Sequence, residues 1–593
     1  MNESNPTPFS TGKFLFEYTN PEAVFIPEDF TDEHRMIMES AAEFMEQEVV
    51  PAEARIENHD YGLLVEFIRQ AGELGLLGAD IPEAYGGLEL DKVSSMIIGE
   101  AVAKQPSFSI TMSGHAGIGS LPIVFFGNDK QKRKYLPGIA AGTQITAYCL
   151  TEPSSGTDAL SIGTTAKLAE DGQHYVLNGQ KQFITNAGFA DIFIVYAKID
   201  GKHFSAFIVE RDTEGLLLGT EENKMGLRGT STRSIILEDC RIPTENLLGE
   251  AGKGHLIAFN ILNFGRLKLA AGSLGLSKEV ISISVKYAKE RKQFNQPLSS
   301  FPLIKNKLAD MNILTYALES MVYRTAGLID QQLQALDPHP QTYVSEMMKA
   351  ASEYALEASV NKVFASETIQ HIADEAVQIH GGYGYTKEYR IEQIYRDVRI
   401  FRIFEGTNEI NRLLIPKQII KKVRTPLQIA DDFAKLMKEA AALKHPEAPA
   451  GTSALDREKH FIMLARKHFQ LAIGHAITKY AEEIDSQQEI AAALSEMAIL
   501  IYAMESIWLR TNRRVDRLGE EKAVHSVQMT QVFCYESMIK IRDLTENVIM
   551  NEVPELYTML SAMNPIRSAA GINTFLLKRS IADRLAEKEK YIV

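Results

Sequence analysis

The sequence predicts a mainly α protein with one β domain set into its middle. Three observations carry that reading. Helical periodicity dominates from residue 31 to about 144. From 145 to 250 it gives way to short alternating runs, rich in β-branched residues and split by Gly, Asn and Asp. After 251 long helix-periodic segments return. The expected order is an extended N-terminal arm (1–30), an N-terminal helical domain (31–144), a middle antiparallel β domain (145–250), a four-helix bundle (251–428) and an additional helical C-terminal domain (429–593).

Taken in order, the arm carries Phe14, Phe16 and Tyr18, so it should pack along the body. Thr31 to Ile56 reads as a helix, with Asp32 and Glu33 in its first turn, followed by helices over 61–77 and 91–104. Gly114, Gly117 and Gly119 come next. They read equally as loop chemistry or as side-chain-free space beside a helix for a long apolar ligand. Residues 174–179, 191–196, 204–209 and 233–237 are the strand candidates. They lie too close together for βαβ units, which argues against a Rossmann nucleotide fold. Residues 256–292, 303–334 and 341–379 are long helices, and with the helix after Glu405 they make the bundle. Thr425-Pro426 and the Pro-rich stretch 445–451 read as linkers. Helical pattern then runs from 454 to the end, with Phe461, Leu464, Ala465, Phe469 and Ala472 on one face.

Composition bounds the function. The 593 residues are 45% hydrophobic and 24% charged, ordinary for a globular protein. A formal charge of −14 argues against a general affinity for nucleic acid. The three cysteines, Cys149, Cys240 and Cys534, are far apart, have no metal-ligand spacing and suit a reducing compartment. No metal is expected. The N-terminal stretch lacks a signal-peptide core, and no segment approaches the roughly 20 apolar residues of a membrane span, so a cytoplasmic protein is expected. Peripheral membrane contact would fall to 429–443, where Phe433, Leu436, Met437 and Ala440 share a face; a buried linker helix is the competing reading.

The stretch Ile400-Phe401-Arg402-Ile403-Phe404-Glu405-Gly406-Thr407-Asn408 holds the chemistry. Glu405 lies between an apolar run and a glycine, and Thr407 is placed to cap a helix carrying Ile410, Leu413 and Leu414. Poor solvation raises a carboxylate pKa and suits a proton-abstracting base. A glutamate before a helix is also commonly a solvated charge complementing the helix dipole.

The domain order resembles the acyl-CoA dehydrogenase family, and several motifs support the match. Ala147-Tyr148-Cys149-Leu150-Thr151-Glu152-Pro153-Ser154-Ser155-Gly156-Thr157-Asp158 is similar to the family's flavin- and substrate-contacting loop. Lys181-Gln182-Phe183-Ile184-Thr185-Asn186 resembles its flavin-stacking strand, with Phe183 where the family usually has tryptophan. Glu290-Arg291-Lys292-Gln293-Phe294 and Gln378-Ile379-His380-Gly381-Gly382-Tyr383-Gly384 resemble two further family motifs.

The resemblance implies FAD held by Tyr148, Leu150, Thr151, Gly156, Thr157, Phe183, Ile184, Thr185, Thr407 and Glu409, with Arg291, Gln293, Phe294, Gln378, Ile379, Gly381 and Gly382 at the diphosphate and adenosine. Family sites draw on two subunits, so a homodimer is implied. Thr157, Asn263, Arg266 and Gly406 are expected at the acyl-CoA, with Arg266 facing the coenzyme A. In some branches the base sits near Gly265; here neither Gly265 nor Phe264 can serve, which leaves Glu405. The extension past 430 is similar to the very-long-chain branch. The implied activity is introduction of a trans-2,3 double bond into long-chain fatty acyl-CoA in β-oxidation, with electrons passing to an electron-transfer flavoprotein. An acyl-CoA oxidase or flavin monooxygenase of the same fold, or a non-catalytic helical scaffold, are the alternatives.

Overall fold

The structure, a computed structural model, describes residues 11–335, 352–442, 455–549 and 572–593. The N-terminal helices begin where polar side chains can accept from orphan backbone N–H groups. Thr31 caps α1 (Asp32–Phe44), Asp60 caps α2 (Tyr61–Glu73) and Asp91 caps α3 (Lys92–Ala101). The single helix expected over 31–56 is broken. Pro51 cannot donate, and the chain passes through a π turn at Met45–Val49 and a 3-10 turn at Val50–Ala52 before a last helical turn. The glycines at 114–119 are neither loop nor ordinary helix. They form a π turn, Gly114–Gly119, continuing α4 (Pro106–Ser113) into α5 (Leu121–Phe126). Helix α6 (Asp129–Ala140) closes this layer.

The β domain is one sheet, but a mixed one. Strand β1 (Thr146–Cys149) and β2 (Thr165–Leu168) both run parallel to β4 (Ile192–Ile199). Residues 146–149 pair with 192–195, and 165–166 pair with 198–199, so both strands lie along one edge of β4. This corrects the all-antiparallel expectation: strand direction is set by long connections that local alternation does not report. β3 (His174–Thr185), β5 (His203–Glu210), β6 (Leu216–Glu221), β7 (Thr232–Pro243) and β8 (Leu247–Leu248) complete it in antiparallel pairings.

Helices α7 (Gly254–Glu290), α8 (Pro302–Gln334) and α9 (Ala355–His380) form the bundle with α11 (Asn408–Gln418), which follows α10 (Arg390–Val398). Between α7 and α8 lies a tight hairpin of β9 (Lys292–Gln293) and β10 (Gln296–Pro297). Its turn residues Phe294 and Asn295 both have positive φ, as a twist-matched two-residue hairpin needs.

The C-terminal helices α12 (Pro426–Ala442), α13 (Asp456–Tyr480), α14 (Gln488–Leu518), α15 (Val524–Ile549) and α16 (Thr574–Lys588) pack on the bundle rather than stand apart. Buried polar pairs join them to α8: Tyr316 with Thr511 at 2.9 Å, Thr325 with Tyr502 at 2.7 Å, and Arg324 with Glu505 at 2.7 Å. Thr425-Pro426 is no linker, since Pro426 opens α12 directly; the 445–451 linker lies outside the described residues. The described part of the arm packs as expected. Phe14 meets Tyr502 edge-on at 4.8 Å, and Glu357 accepts from the Thr11 hydroxyl and the Gly12 N–H.

The apolar face of α12 points inward. Ile429 and Leu436 are buried, and a Cβ on Gly474 of α13 would lie 2.5 Å from Phe433. The membrane face suggested for 429–443 is therefore, over its described side chains, an internal packing face. Among the described residues, and against the expectation of none, two segments, 106–126 and 488–518, are long and apolar enough to cross a membrane, but 83% and 78% of their most apolar windows are buried in the protein, as core helices are.

Candidate functional site

A cleft enclosing about 690 Å³, counted out to its mouth, opens between α4, the π turn and α7. Gly265, Lys268, Leu269, Gly272 and Leu276 line it at helical spacing from α7. Ser109, Ser113, Gly114 and Gly117 face them, and Thr185, Phe401, Phe404 and Glu405 close one end. Lys268 lays its stem along the wall and sends its ammonium to Asp80 at 2.7 Å. Asp80 also takes Lys92 and the Ser95 hydroxyl, and its carboxyl is held well below the usual range despite burial.

Glu405 stands at the end of this cleft in an unusual backbone pose. Its φ is +58° and that of Gly406 is +80°, so two successive residues occupy left-handed space. A glutamate there is strained unless its surroundings impose the conformation. They do so through the carbonyls. Arg266 Nε donates to the Glu405 carbonyl at 3.1 Å. Lys362 Nζ donates to the Gly406 carbonyl at 2.8 Å, and Asn411 Nδ2 reaches the Gly406 and Thr407 carbonyls at 2.8 and 3.1 Å. Thr407 caps α11 by accepting from Ile410 N–H, as its position predicted. Among the described residues the Glu405 N–H has no protein acceptor.

Glu405 is half-buried as a residue, and its Oε2 is fully buried with no hydrogen-bond partner. Desolvation pushes its pKa up to about 7, against the pull of Arg266 and Lys362. Gly265 makes room for it: a Cβ built there would lie 2.6 Å from Oε2 and 2.8 Å from Cδ. The base expected from sequence is thus poorly solvated, aimed into an apolar cleft and placed over a glycine.

Of the first group of expected cofactor residues, Thr185 on β3 reaches this cleft. β3 bulges between Lys181 and Ile184. Within the bulge Phe183 has φ +58° and turns outward, 62% exposed, while Ile184 returns to the core. Thr185 then lines the cleft. Phe183 is therefore an outward face and not the core residue that strand alternation favours. Tyr148, on β1, sets its ring edge-on against Tyr196 at 5.2 Å and has its hydroxyl buried. The side chains of Leu150 and Ile184 are buried, so only their backbone can serve a ligand. Gly156 and Thr157 are exposed, and nothing lies within 4 Å of a Cβ built on Gly156.

The second group gathers at the ends of α7 and α9. Tyr287 stacks on His380 at 4.0 Å, and Arg291 lies over the Tyr383 ring at 5.5 Å. Gln293, Phe294, Gln378, Gly381 and Gly382 are exposed around it, and neither glycine would meet an atom within 4 Å of an added Cβ. The Ile379 side chain is buried. Open glycines beside an arginine suit a diphosphate. An exposed ring at Phe183 and this open glycine platform fit the tricyclic and diphosphate ends of FAD.

Two residues expected at the substrate already have protein partners. Arg266 is 7% exposed, and it donates to the Glu405 carbonyl at 3.1 Å and to Asn263 Oδ1 at 2.9 Å. That bond engages Asn263 through Oδ1 alone. Burial lowers the Arg266 pKa to about 10, with Glu405 pulling it back up. Sequence reading also missed two buried lysines. Lys362 sits under the Gly406 carbonyl, and Lys181 bonds the Leu150 carbonyl and Glu152 at 2.7 Å beneath the 148–157 loop. The available signal was position: each lysine falls on the inward side of its strand or helix, where a cation needs a reason.

Family models for the acyl-CoA dehydrogenase N-terminal, middle and C-terminal domains match residues 31–143, 147–240 and 252–420, and a further acyl-CoA dehydrogenase C-terminal domain model matches 464–564. A probable acyl-CoA dehydrogenase of Bacillus subtilis is 48% identical over 98% of each chain. The human mitochondrial very long-chain specific acyl-CoA dehydrogenase is 32% identical over 90% of this chain and 83% of its own. A crystal structure of an acyl-CoA dehydrogenase complexed with FAD from Bacillus anthracis superposes with a TM-score of 0.95 at 46% identity, covering 99% of this chain and 100% of that one.

Proposed function

The chain belongs to the acyl-CoA dehydrogenase family, an FAD-dependent group of oxidoreductases, and from that premise we propose that Glu405 abstracts the α-proton of a long-chain fatty acyl-CoA. The observation that carries the reading is the orphaned, desolvated Glu405 carboxylate at the end of an apolar cleft.

The acyl chain lies along α7 with its α-carbon at Glu405. The thioester carbonyl accepts from the free Glu405 N–H, which stabilises the developing enolate. Arg266, Lys362 and Asn411 hold that N–H and the carboxylate in register by fixing the turn. Phe183 and Thr185 would hold FAD beside the cleft, where it would supply the acceptor for the β-hydrogen as hydride. An electron-transfer flavoprotein would then be the electron acceptor. The exposed cluster of Arg291, Phe294 and Gly381–Gly382 completes the diphosphate site of a second copy, so the working unit is a homodimer.

The rate should follow the ionised base. With a pKa of about 7 the carboxylate fraction grows as pH rises, so kcat/KM should climb nearly tenfold per unit below 7 and level off above it. A flat profile between pH 5 and 8 would contradict this.

The cleft also sets substrate length. From Gly265 to Leu276 α7 advances by eleven residue steps, about 16 Å at 1.5 Å per residue. A Cβ on Gly272 would meet nothing closer than 3.9 Å, so a larger side chain there projects into open cleft. Anaerobic titration with acyl-CoAs of graded length should bleach the flavin best with long chains, and Gly272→Phe should move the optimum to shorter ones. An optimum at short chains in the unaltered protein would sink the long-chain reading.

A further inference from the structure

We propose that Lys362 is a positioning residue for this reaction: its buried ammonium both pins the turn that carries Glu405 and supplies the counter-charge beneath the carboxylate. The inference rests on Glu405 being the base.

Lys362 lies in the middle of α9 and is fully buried. Its Nζ donates to the Gly406 carbonyl at 2.8 Å and to Asn408 Oδ1 at 2.7 Å. Asn408 is held in turn by Ser366 and by Glu367 of the same helix. Glu367 is itself committed to Arg412 at 2.7 and 2.9 Å. Among the described residues, Lys362 makes no ion pair with a carboxylate. A buried ammonium without such a partner is costly and needs compensation from somewhere.

The charges that face it settle where. From the turn comes Glu405, from α7 Arg266, from α11 Glu409 and from its own helix Glu367. Burial lowers the Lys362 pKa to about 7, and among the charges Glu405 acts on it most strongly. Reciprocally, Arg266 and Lys362 are the two cations that restrain the raised pKa of Glu405. A lysine serving only to tie two helices together would have no reason to lie under the residue that follows the base. Here one ammonium sets both pose and charge. Its hydrogen bond helps hold Gly406 at φ +80°, and while it is protonated its field favours the ionised form of the adjacent carboxylate.

Pose and charge separate experimentally. Lys362→Met removes both, Lys362→Gln keeps a donor without charge, and Lys362→Arg keeps the charge. Each variant is taken as FAD-loaded protein of checked fold, with palmitoyl-CoA as substrate. In Lys362→Met the acidic limb of the kcat profile should move up by about one pH unit. Its plateau should fall at least about tenfold with KM little changed, because the base is out of place. Lys362→Gln should recover plateau but not limb, and Lys362→Arg should return the limb toward its original position. If Lys362→Met does not fold, the limb of Lys362→Gln decides alone. A limb unmoved in the folded variant overturns the proposal. Glu405→Gln run in parallel distinguishes the failures: if it turns over, the base assignment is wrong, and if it is inert while the Lys362 limb stays put, only this inference falls. Asp397, which burial also raises to about 7, titrates in the same window, but it is unchanged in every variant and cancels in the comparison.

Discussion

Glu405→Gln is expected to give a folded, yellow protein that binds acyl-CoA and dehydrogenates it about 10⁴-fold more slowly, the upper end of what a general base contributes. The upper end is expected because the cleft holds no substitute. Its other ionisable lining residue is Lys268, whose ammonium is committed to Asp80. Ser109, Ser113 and Thr185 are far too weakly basic. The amide is nearly isosteric and keeps the same backbone, so the clamp on the Glu405 and Gly406 carbonyls is undisturbed.

The variant should also change how stability depends on pH. Glu405 has a folded pKa of about 7, raised from 4.5, so its contribution to stability is fully present below 4.5 and is lost as pH rises toward 7. Glu405→Gln has no such loss and should gain on the wild type between pH 5 and 8 in matched thermal melts. Turnover close to wild type would remove the base from this residue. Unchanged turnover together with an unchanged melting profile would also deny its burial.

Much of this site was legible because local chemistry was consistent with the global fold. Thr407 reads as a cap and is one, and the apolar run before Glu405 desolvates it as expected. What stayed hidden depends on distant partners. Nothing near Arg266 says that its guanidinium turns toward a carbonyl 139 residues away. The parallel pairing of β1 and β2 with β4 is fixed by connections, and strand alternation is blind to direction. The π turn at 114–119 is likewise silent, since its three glycines equally suit a loop. Phe183 shows the limit most clearly. Alternation assigns it to one face, but a bulge in β3 reverses it, and the side chain ends outside the core.

Gly265→Ala should separate stability from catalysis. Inside a helix, alanine is worth about 1 kcal/mol over glycine, so α7 itself gains. The new methyl would lie 2.6 to 3.0 Å from the carboxylate atoms of Glu405, nearer than atoms pack. What it meets is the free end of a side chain, not backbone, so the chain can yield without unfolding. The yielding group is the proposed base. A displacement of about 1 Å at a reacting group costs about 10²-fold in rate, and the carboxylate cannot retreat freely because Arg266, Lys362 and Asn411 fix the turn it grows from. The expected result is a melting temperature equal to or above wild type, unaltered FAD content, and kcat lower by about 10²-fold with little change in substrate affinity. A kcat within threefold of wild type would mean that the carboxylate does not rest over residue 265 when substrate is bound. Should stability fall while kcat holds, the methyl must be meeting something rigid, and the empty space at 265 would belong to packing rather than to the base.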